Sequence, residues 1–175
     1  MHILRLRDAA YVRGAQTIVA PANLDLAPGE HMTRACDSAL EAEALAMMAA
    51  ALARATSGSV TIGEFDPRVQ PVHCKRIAAF VPHDPLPLSQ IDAARYITYR
   101  AALWEIDPAV ARARAQLLYE RLEGMHEAFA YPILGALLPL PQLLVLDRPH
   151  PAFVPQILAA ADGCAVLIAQ AAVHS

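Results

Sequence analysis

The residues with the most chemical potential sit where apolar runs begin or end. Cys36, Asp37, Ser38, Glu41 and Glu43 gather at the start of an Ala-, Leu- and Met-rich stretch that reads as a helix from about Ala39 to Arg54. Ser38, with Glu41 three residues on, forms a capping box: hydroxyl and carboxylate can satisfy N–H groups that a first helical turn leaves free. A helix start carries roughly half a positive charge and readily takes a phosphate. Here Asp37, Glu41 and Glu43 crowd that end instead. A further anion about 4 Å from one of them costs on the order of 4 kcal/mol at an effective dielectric near roughly 20. Asp147 closes a second apolar run, Gln142–Leu146, and Arg148 follows it, while His83 and His150 stand beside prolines. Such types ligate metals and move protons, although lone histidines in proline-rich loops are commonly only solvated. His73-Cys74 is a weaker metal-binding pair.

Composition narrows the field. Cys36, Cys74 and Cys164 are odd in number and widely spaced, which argues against a disulfide framework and a zinc knuckle. The chain is 56% hydrophobic but has no uncharged apolar run of membrane-spanning length. Met1–Arg7 alternates apolar and basic residues and has no secretory apolar core, so a cytoplasmic protein is expected. A net charge of −3 argues against a general nucleic-acid binder. Lys75 is the only lysine, and the Ala-rich, Arg-biased usage points to a GC-rich bacterial genome. At 175 residues, one domain can bury roughly 70% of its unfolded surface without a staple.

The elements that must position these residues can be read in order. Ile3–Leu6 and Asn23–Leu26 alternate as strands, with turns at Arg13-Gly14 and Pro28-Gly29. His31–Ala35 is a short strand leading into the capped helix, which ends at Thr56-Ser57-Gly58. Ser59–Ile62 is a strand closed by Gly63, and Ile77–Val81 is a buried strand stopped by Pro82. Asp84-Pro85-Leu86-Pro87-Leu88 reads as a stiff exposed loop. Helices are expected over Ile91–Trp104 and Pro108–Glu123, the second with Pro at its first turn. The strand Gln142–Leu146, a short helix Pro155–Ala161 and the strand Ala165–Ala169 complete an alternating α/β pattern with a mainly parallel sheet and an antiparallel edge sheet.

Several stretches, taken together, resemble the ATP-binding subunit of ABC transporters. Leu24-Asp25-Leu26-Ala27-Pro28-Gly29-Glu30 is similar to the strand and turn before the Walker A loop. Thr56-Ser57-Gly58-Ser59-Val60-Thr61-Ile62-Gly63 is similar to the segment after the Walker A helix. Ile77-Ala78-Ala79-Phe80-Val81-Pro82-His83-Asp84 resembles the Q-loop strand, Leu143-Leu144-Val145-Leu146-Asp147-Arg148-Pro149 resembles Walker B, and Val166-Leu167-Ile168-Ala169 resembles the strand before the switch histidine. The order is right and the match covers nearly the whole chain. The resemblance implies an α/β, P-loop NTPase-like ABC ATPase core in a single domain over 1–175, with a reduced helical subdomain at roughly 85–136. Another P-loop-like or Rossmann-like domain is the competing fold, but it does not explain Thr-Ser-Gly-Ser-Val at that distance beyond Pro-Gly-Glu.

Against that family's pattern, the phosphate-handling parts are replaced. A P-loop needs glycines, a lysine on the β/γ oxygens and a hydroxyl on Mg²⁺. The matching stretch here is Cys36-Asp37-Ser38-Ala39-Leu40-Glu41-Ala42-Glu43-Ala44, with no glycine between Gly29 and Gly58. Ala42 holds the lysine position and Glu43 the hydroxyl position. The Q-loop glutamine position is His83, the catalytic glutamate is Arg148, the D-loop aspartate is Val154 and the switch histidine is Ala171. No Leu-Ser-Gly-Gly-Gln signature occurs, and 123–141 reads as too short to carry it with its following helix. Arg13 falls where the adenine-stacking aromatic would stand, with Tyr11 two residues early. Asp147 remains, as a poor metal site or a strand-end residue held by backbone or Arg148.

The resemblance therefore implies a catalytically inactive, cofactor-free subunit: a structural or regulatory module in a membrane transporter-like complex, held at the inner face of the membrane through a partner. Expected partners are a membrane permease subunit, a genuine ABC ATPase subunit, or both. A homodimer is possible, and neither nucleic acid binding nor direct membrane insertion is expected. In the family, the Q-loop and helical subdomain grip a helix of the membrane subunit. The corresponding residues here are His83, Asp84, Pro85, Pro87, Tyr96, Tyr99 and Trp104, whose aromatics suit an interface or equally a core. Two alternatives remain. If the family's layout holds, His83, Asp147 and His150 fall near one another and could serve a repurposed metal-dependent enzyme. The chain could also be a nucleotide sensor that binds without hydrolysis, against which the acidic helix start argues.

Overall fold

Cross-strand pairing carries the first strands well beyond the segments expected from local alternation. In this computed structural model, which describes residues 2–84 and 92–172, β1 spans Leu4–Arg13 and β2 spans Gln16–Leu26. They pair antiparallel from Leu4↔Leu26 to Arg13↔Gln16, with Gly14 at φ +61 in the turn. Asp8, at φ 47, marks a break in their register and is held by Asn23, which donates through Nδ2 to Oδ1 and accepts from the Asp8 N–H, both at 3.0 Å.

A second sheet holds the other strands. β3 is His31–Cys36, and α1, Ala39–Ala49, follows it after two residues. β4, Ser57–Ile62, returns to the first sheet and pairs antiparallel with β1, giving the order β2-β1-β4. Gly58 lies at φ +69 where that strand crosses Asp8, and a Cβ there would fall 2.1 Å from the Asp8 carbonyl oxygen. α1 ends earlier than expected. Its alanine-rich sequence favours continuing, but Thr56 is pinned to β1, with both its N–H and its hydroxyl donating to the Ala10 carbonyl at 2.8 and 3.1 Å. The chain must therefore turn back within a few residues, and Ala51 takes φ +58 to do so.

Next come α2, Pro71–Ile77, and β5, Ala78–Val81. The short helix α2 falls in a stretch to which no element was assigned, and it takes Ile77, expected as the head of the next strand, as its last residue. α3 spans Ala93–Leu103 and α4 spans Pro108–Arg121, each capped by an aspartate, Asp92 and Asp107. The loop expected over Asp84–Leu88 and the expected helix start at Ile91 extend into 85–91, outside the described residues. α5, Glu127–Leu137, adds a three-turn helix within the segment read as too short to carry a signature sequence together with its following helix. Its residues from Ala130 onward are all buried, so no amphipathic period shows, and Pro132 and Gly135 disguise it further.

β6, Leu143–Asp147, leads to a 3₁₀ turn at Pro151–Phe153 and α6, Val154–Ala160, and β7, Ala165–Ala171, follows. The parallel sheet runs β3-β7-β6-β5. α1 packs on one face beneath the antiparallel sheet, around Leu45, Met48, Leu143, Val145 and Leu167. The later helices cover the other face, around Leu134, Leu138, Leu144, Leu146 and Ile168. Among the described residues, no helix is long and apolar enough to cross a membrane.

Candidate functional site

The chemistry-bearing residues collect at the carboxyl ends of β3, β5 and β6, where open parallel sheets hold their ligands. The chain leaves β3 at Cys36 and enters α1 through Asp37 and Ser38 alone. Ser38 is the N-cap. Its Oγ accepts from the Glu41 N–H at 3.1 Å, and Glu41 reaches back so that Oε2 accepts from the Asp37 N–H at 2.7 Å. The expected box is therefore present, with the carboxylate reaching one residue further back than the usual arrangement. Residues 39–42 form the first turn of α1, and the Ala42 N–H donates to the Ser38 carbonyl at 3.0 Å. Cys36 is buried beneath this cap, and burial, reinforced by Glu41, pushes its thiol up to about 11.

Across the sheet, Asp147 ends β6 with only 3% of its surface exposed. Arg148 turns back on it, with Nε and Nη2 donating to the two carboxylate oxygens at 2.7 and 2.9 Å. The hydrogen bond that Arg148 donates to Asp147 raises the guanidinium's pKa, and the fields of Glu43 and Asp84 add to the effect. Arg148 holds φ +45, and its N–H donates to the Ala169 carbonyl of β7 at 2.8 Å. Of the two outcomes weighed for Asp147, retention by Arg148 is the one the structure contains.

The histidines are engaged differently. His83 Nδ1 lies 2.8 Å from the Arg148 carbonyl oxygen. His150 caps the 3₁₀ turn, its Nδ1 accepting from the Ala152 N–H at 3.3 Å, and its ring packs 5.2 Å from that of Phe153. His83, Arg148 and His150 thus share one wall, but the Asp147 carboxylate faces Arg148. Among the described residues, no three metal-ligating side chains gather. The combination of His83, Asp147 and His150 as a metal site is therefore not assembled, because the arginine that follows Asp147 occupies both of its oxygens.

Between these strand ends and α5 lies a cavity of about 470 Å³, lined by His83, Arg148, His150, Ala171 and the apolar side chains of Phe129, Pro132, Ile133 and Phe153. Phe129 and Phe153 pack at 5.4 Å across it. Sequence reasoning missed the Phe129 ring because α5 itself was not legible, and with it the partner that Phe153 meets from the 3₁₀ turn.

The residues expected at a partner interface separate into three groups. Tyr99 is 61% exposed on α3, His83 and Asp84 are exposed, and Trp104 is half-buried at the α3 terminus. Tyr96 is buried, stacked on Tyr131 at 5.9 Å and lying over Gly135, so its ring is core rather than contact surface. Pro85 and Pro87 lie outside the described residues. Arg100, one turn after Tyr96, donates from Nε and Nη2 to the Gly135 carbonyl at 3.1 and 2.7 Å. That carbonyl has no helical donor, because the residue four positions on is Pro139.

No family model and no curated relative matches the sequence. The fold, however, is shared with solved structures. An ATP-binding subunit of an ABC transporter superposes with a TM-score of 0.77 at 15% identity, over 96% of this chain and 79% of that one. CbiO1 from Clostridium perfringens, part of the ABC transporter complex cbiONQ, superposes with a TM-score of 0.74 at 16% identity, over 98% of this chain and 79% of that one. The chain therefore has the fold of an ABC ATPase core, with a parallel four-stranded sheet beside an antiparallel one.

Proposed function

We propose that this chain is a non-hydrolysing ABC-ATPase-like subunit that serves as a structural or regulatory binding module in a membrane transporter-like complex. The observation that carries the reading is the start of α1. Residues that match a phosphate-wrapping loop are wound into its first turn, and the side chains of Ser38 and Glu41 already accept from the N–H groups of Glu41 and Asp37. Glu43 adds charge at the start of the next turn, and Arg148 is committed to Asp147 rather than turned toward an incoming anion. A triphosphate would have to break the cap and then sit among carboxylates.

What remains is a scaffold with surfaces. His83, Asp84, Tyr99 and Trp104 are the residues offered to a permease segment, with Tyr96 supporting α3 from beneath; Pro85 and Pro87 follow Asp84 in the sequence and belong to the same proposal. Membership in a transporter complex is a property of cbiO1 by its description, and the shared fold supports carrying it over as a proposal. A genuine ATPase subunit in the same complex would supply the hydrolysis.

Two measurements test this. Calorimetric titration with Mg²⁺ and ATP should give millimolar or absent binding. Tight binding would replace this reading with that of a nucleotide sensor. Affinity capture from the native host, with co-purifying chains identified, should recover a permease and an ATPase. Capture of neither removes the transporter assignment.

A further inference from the structure

We propose that the groove between α4 and the ends of α5 and α6 docks an acidic amphipathic helix of a partner protein. Two carboxylates seven residues apart on that helix would seat on Arg114 and Arg121, with its apolar residues entering between Leu117 and Leu140. The groove has a volume of about 450 Å³. Gln142 and Cys164 place it at the amino-terminal ends of β6 and β7, a strand's length from Ala171, where β7 leaves the sheet. Leu118 and Leu137 are buried in its floor. Leu117 and Leu140 line it while 60% and 64% exposed, so two large apolar side chains meet water in one depression rather than singly.

α4 carries two stripes at one spacing. Ala111, Ala115, Leu118 and Leu122 are buried in the fold, and Val110, Arg114, Leu117 and Arg121 precede each of them by one residue. Alternating steps of four and three residues are those of a helix–helix seam. Arginines at alternate positions of such a seam call for carboxylates opposite. A second α4 would bring this stripe two more arginines and no carboxylate, so charge favours a foreign acidic chain over another copy.

Both arginines are held ready. Arg114 Nη1 donates to the Leu138 carbonyl at 3.1 Å, and Arg121 Nη1 donates to the Ala159 carbonyl at 3.4 Å. In each, Nε and Nη2 make no hydrogen bond among the described residues, and that pair is the fork a carboxylate takes side-on. Arg148 fills the same fork with Asp147. Asp162 also lines the groove but forms no ion pair with either arginine among the described residues. Seven residues of α4 rise about 10.5 Å, and a helix lying alongside repeats that distance between its own acids. Leu140 holds φ +58 between Pro139 and Pro141, a conformation that Asn or Gly takes more readily. An exposed leucine kept on such a backbone is suited to anchor a partner. None of His83, Asp84, Tyr99 and Trp104 lines this groove, so the inference stands apart from the permease contact and from nucleotide.

The test is fluorescence anisotropy of the purified chain with two labelled synthetic helices of three heptads. They share one leucine stripe and carry either Glu or Lys at positions seven residues apart beside it. The Glu helix should bind in the micromolar range and the Lys helix should not. Leu117→Glu and Arg121→Glu should each weaken the Glu helix about tenfold, with unchanged circular dichroism. Leu140→Asn separates binding from folding: its melting temperature should hold or rise while binding falls about fivefold. No binding, equal binding of the two helices, or variants that leave affinity unchanged would each overturn the proposal. So would a wild-type dimer that Leu117→Glu dissolves, which assigns the groove to a second copy. Cosedimentation with anionic phospholipid vesicles that Leu117→Glu abolishes would overturn it too, by assigning the groove to a lipid surface.

Discussion

Arg148 grips the residue that precedes it, its Nε and Nη2 spanning both carboxylate oxygens of Asp147 at 2.7 and 2.9 Å. The carboxylate is 3% exposed and the arginine side chain 17% exposed, so the pair is largely shielded from solvent. Removing one member of such a pair leaves an uncompensated buried charge. Arg148→Ala is expected to lower unfolding free energy by about 3 kcal/mol in urea titrations. Replacing both residues, as Asp147→Leu with Arg148→Met, should recover most of that loss. A single-variant cost under about 1 kcal/mol would show that the pair contributes little.

Gly135 supplies a second expectation. A Cβ at this position would lie 2.3 Å from the Tyr96 hydroxyl and 2.9 Å from two of its ring carbons. Tyr96 has little freedom to withdraw, since it is stacked on Tyr131, which meets Tyr119 edge-on. Gly135→Ala should therefore destabilise by about 1–3 kcal/mol and lower the melting temperature. Adding Tyr96→Phe removes the nearest atom and should restore part of the loss. The same double change would not rescue Gly58→Ala, where the obstacle is the Asp8 backbone at 2.1 Å and φ is +69.

The contrast between α1 and α5 shows what the sequence could reveal. At α1, a polar cap precedes an apolar run, and the local rule survives in the fold: Ser38 and Glu41 are hydrogen-bonded as a box. The strands carrying Asp147 and Ala169 were equally legible, because runs buried on both faces are apolar throughout. α5 is apolar all round, contains Pro132 and ends near Pro139, so its period is hidden. Its last carbonyls are bonded partly by the local Leu140 N–H on Leu137 and partly by tertiary partners, Arg100 on Gly135 and Arg114 on the Leu138 carbonyl. The Arg148–Asp147 grip was open in the sequence as one of two outcomes, and it occurs with Arg148 at φ +45, a conformation no local signal marks. The bonds of β1 across to β2 and β4 extend the strands beyond any local signal.

Buried thiols set an alkaline limit. Burial pushes Cys36 and Cys164 up to about 11, in Cys36 with Glu41 adding to the effect. A folded-state pKa above the unfolded value means stability is complete below the unfolded pKa of about 9 and is lost as pH rises toward 11. Each group contributes a slope of up to about 1.4 kcal/mol per pH unit in that window. Urea midpoints should be level at pH 7–8 and fall between pH 9 and 11, and the combined Cys36→Ala, Cys164→Ala variant should flatten the decline. At pH 8, a thiol reagent should label the folded chain slowly and the unfolded chain at once.

The cap on α1 and the weak nucleotide affinity proposed from it are one electrostatic argument with two readouts. Ser38→Ala removes the acceptor of the Glu41 N–H and should cost about 1 kcal/mol of stability. If phosphate could take the place of the cap, Mg²⁺-ATP would restore that loss, since a ligand bound only to the folded state stabilises by mass action. Wild type and Ser38→Ala should instead melt at the same temperatures with or without millimolar ATP. The acids explain why: Glu41 and Glu43 lie on the first turns of α1, and Asp37 precedes it, so freeing one N–H leaves the negative field in place. An ATP-dependent rise in the melting temperature of the wild type would show that nucleotide reaches the helix start despite the carboxylates. A rise confined to Ser38→Ala would show that the hydroxyl cap, and not the charge, is the barrier.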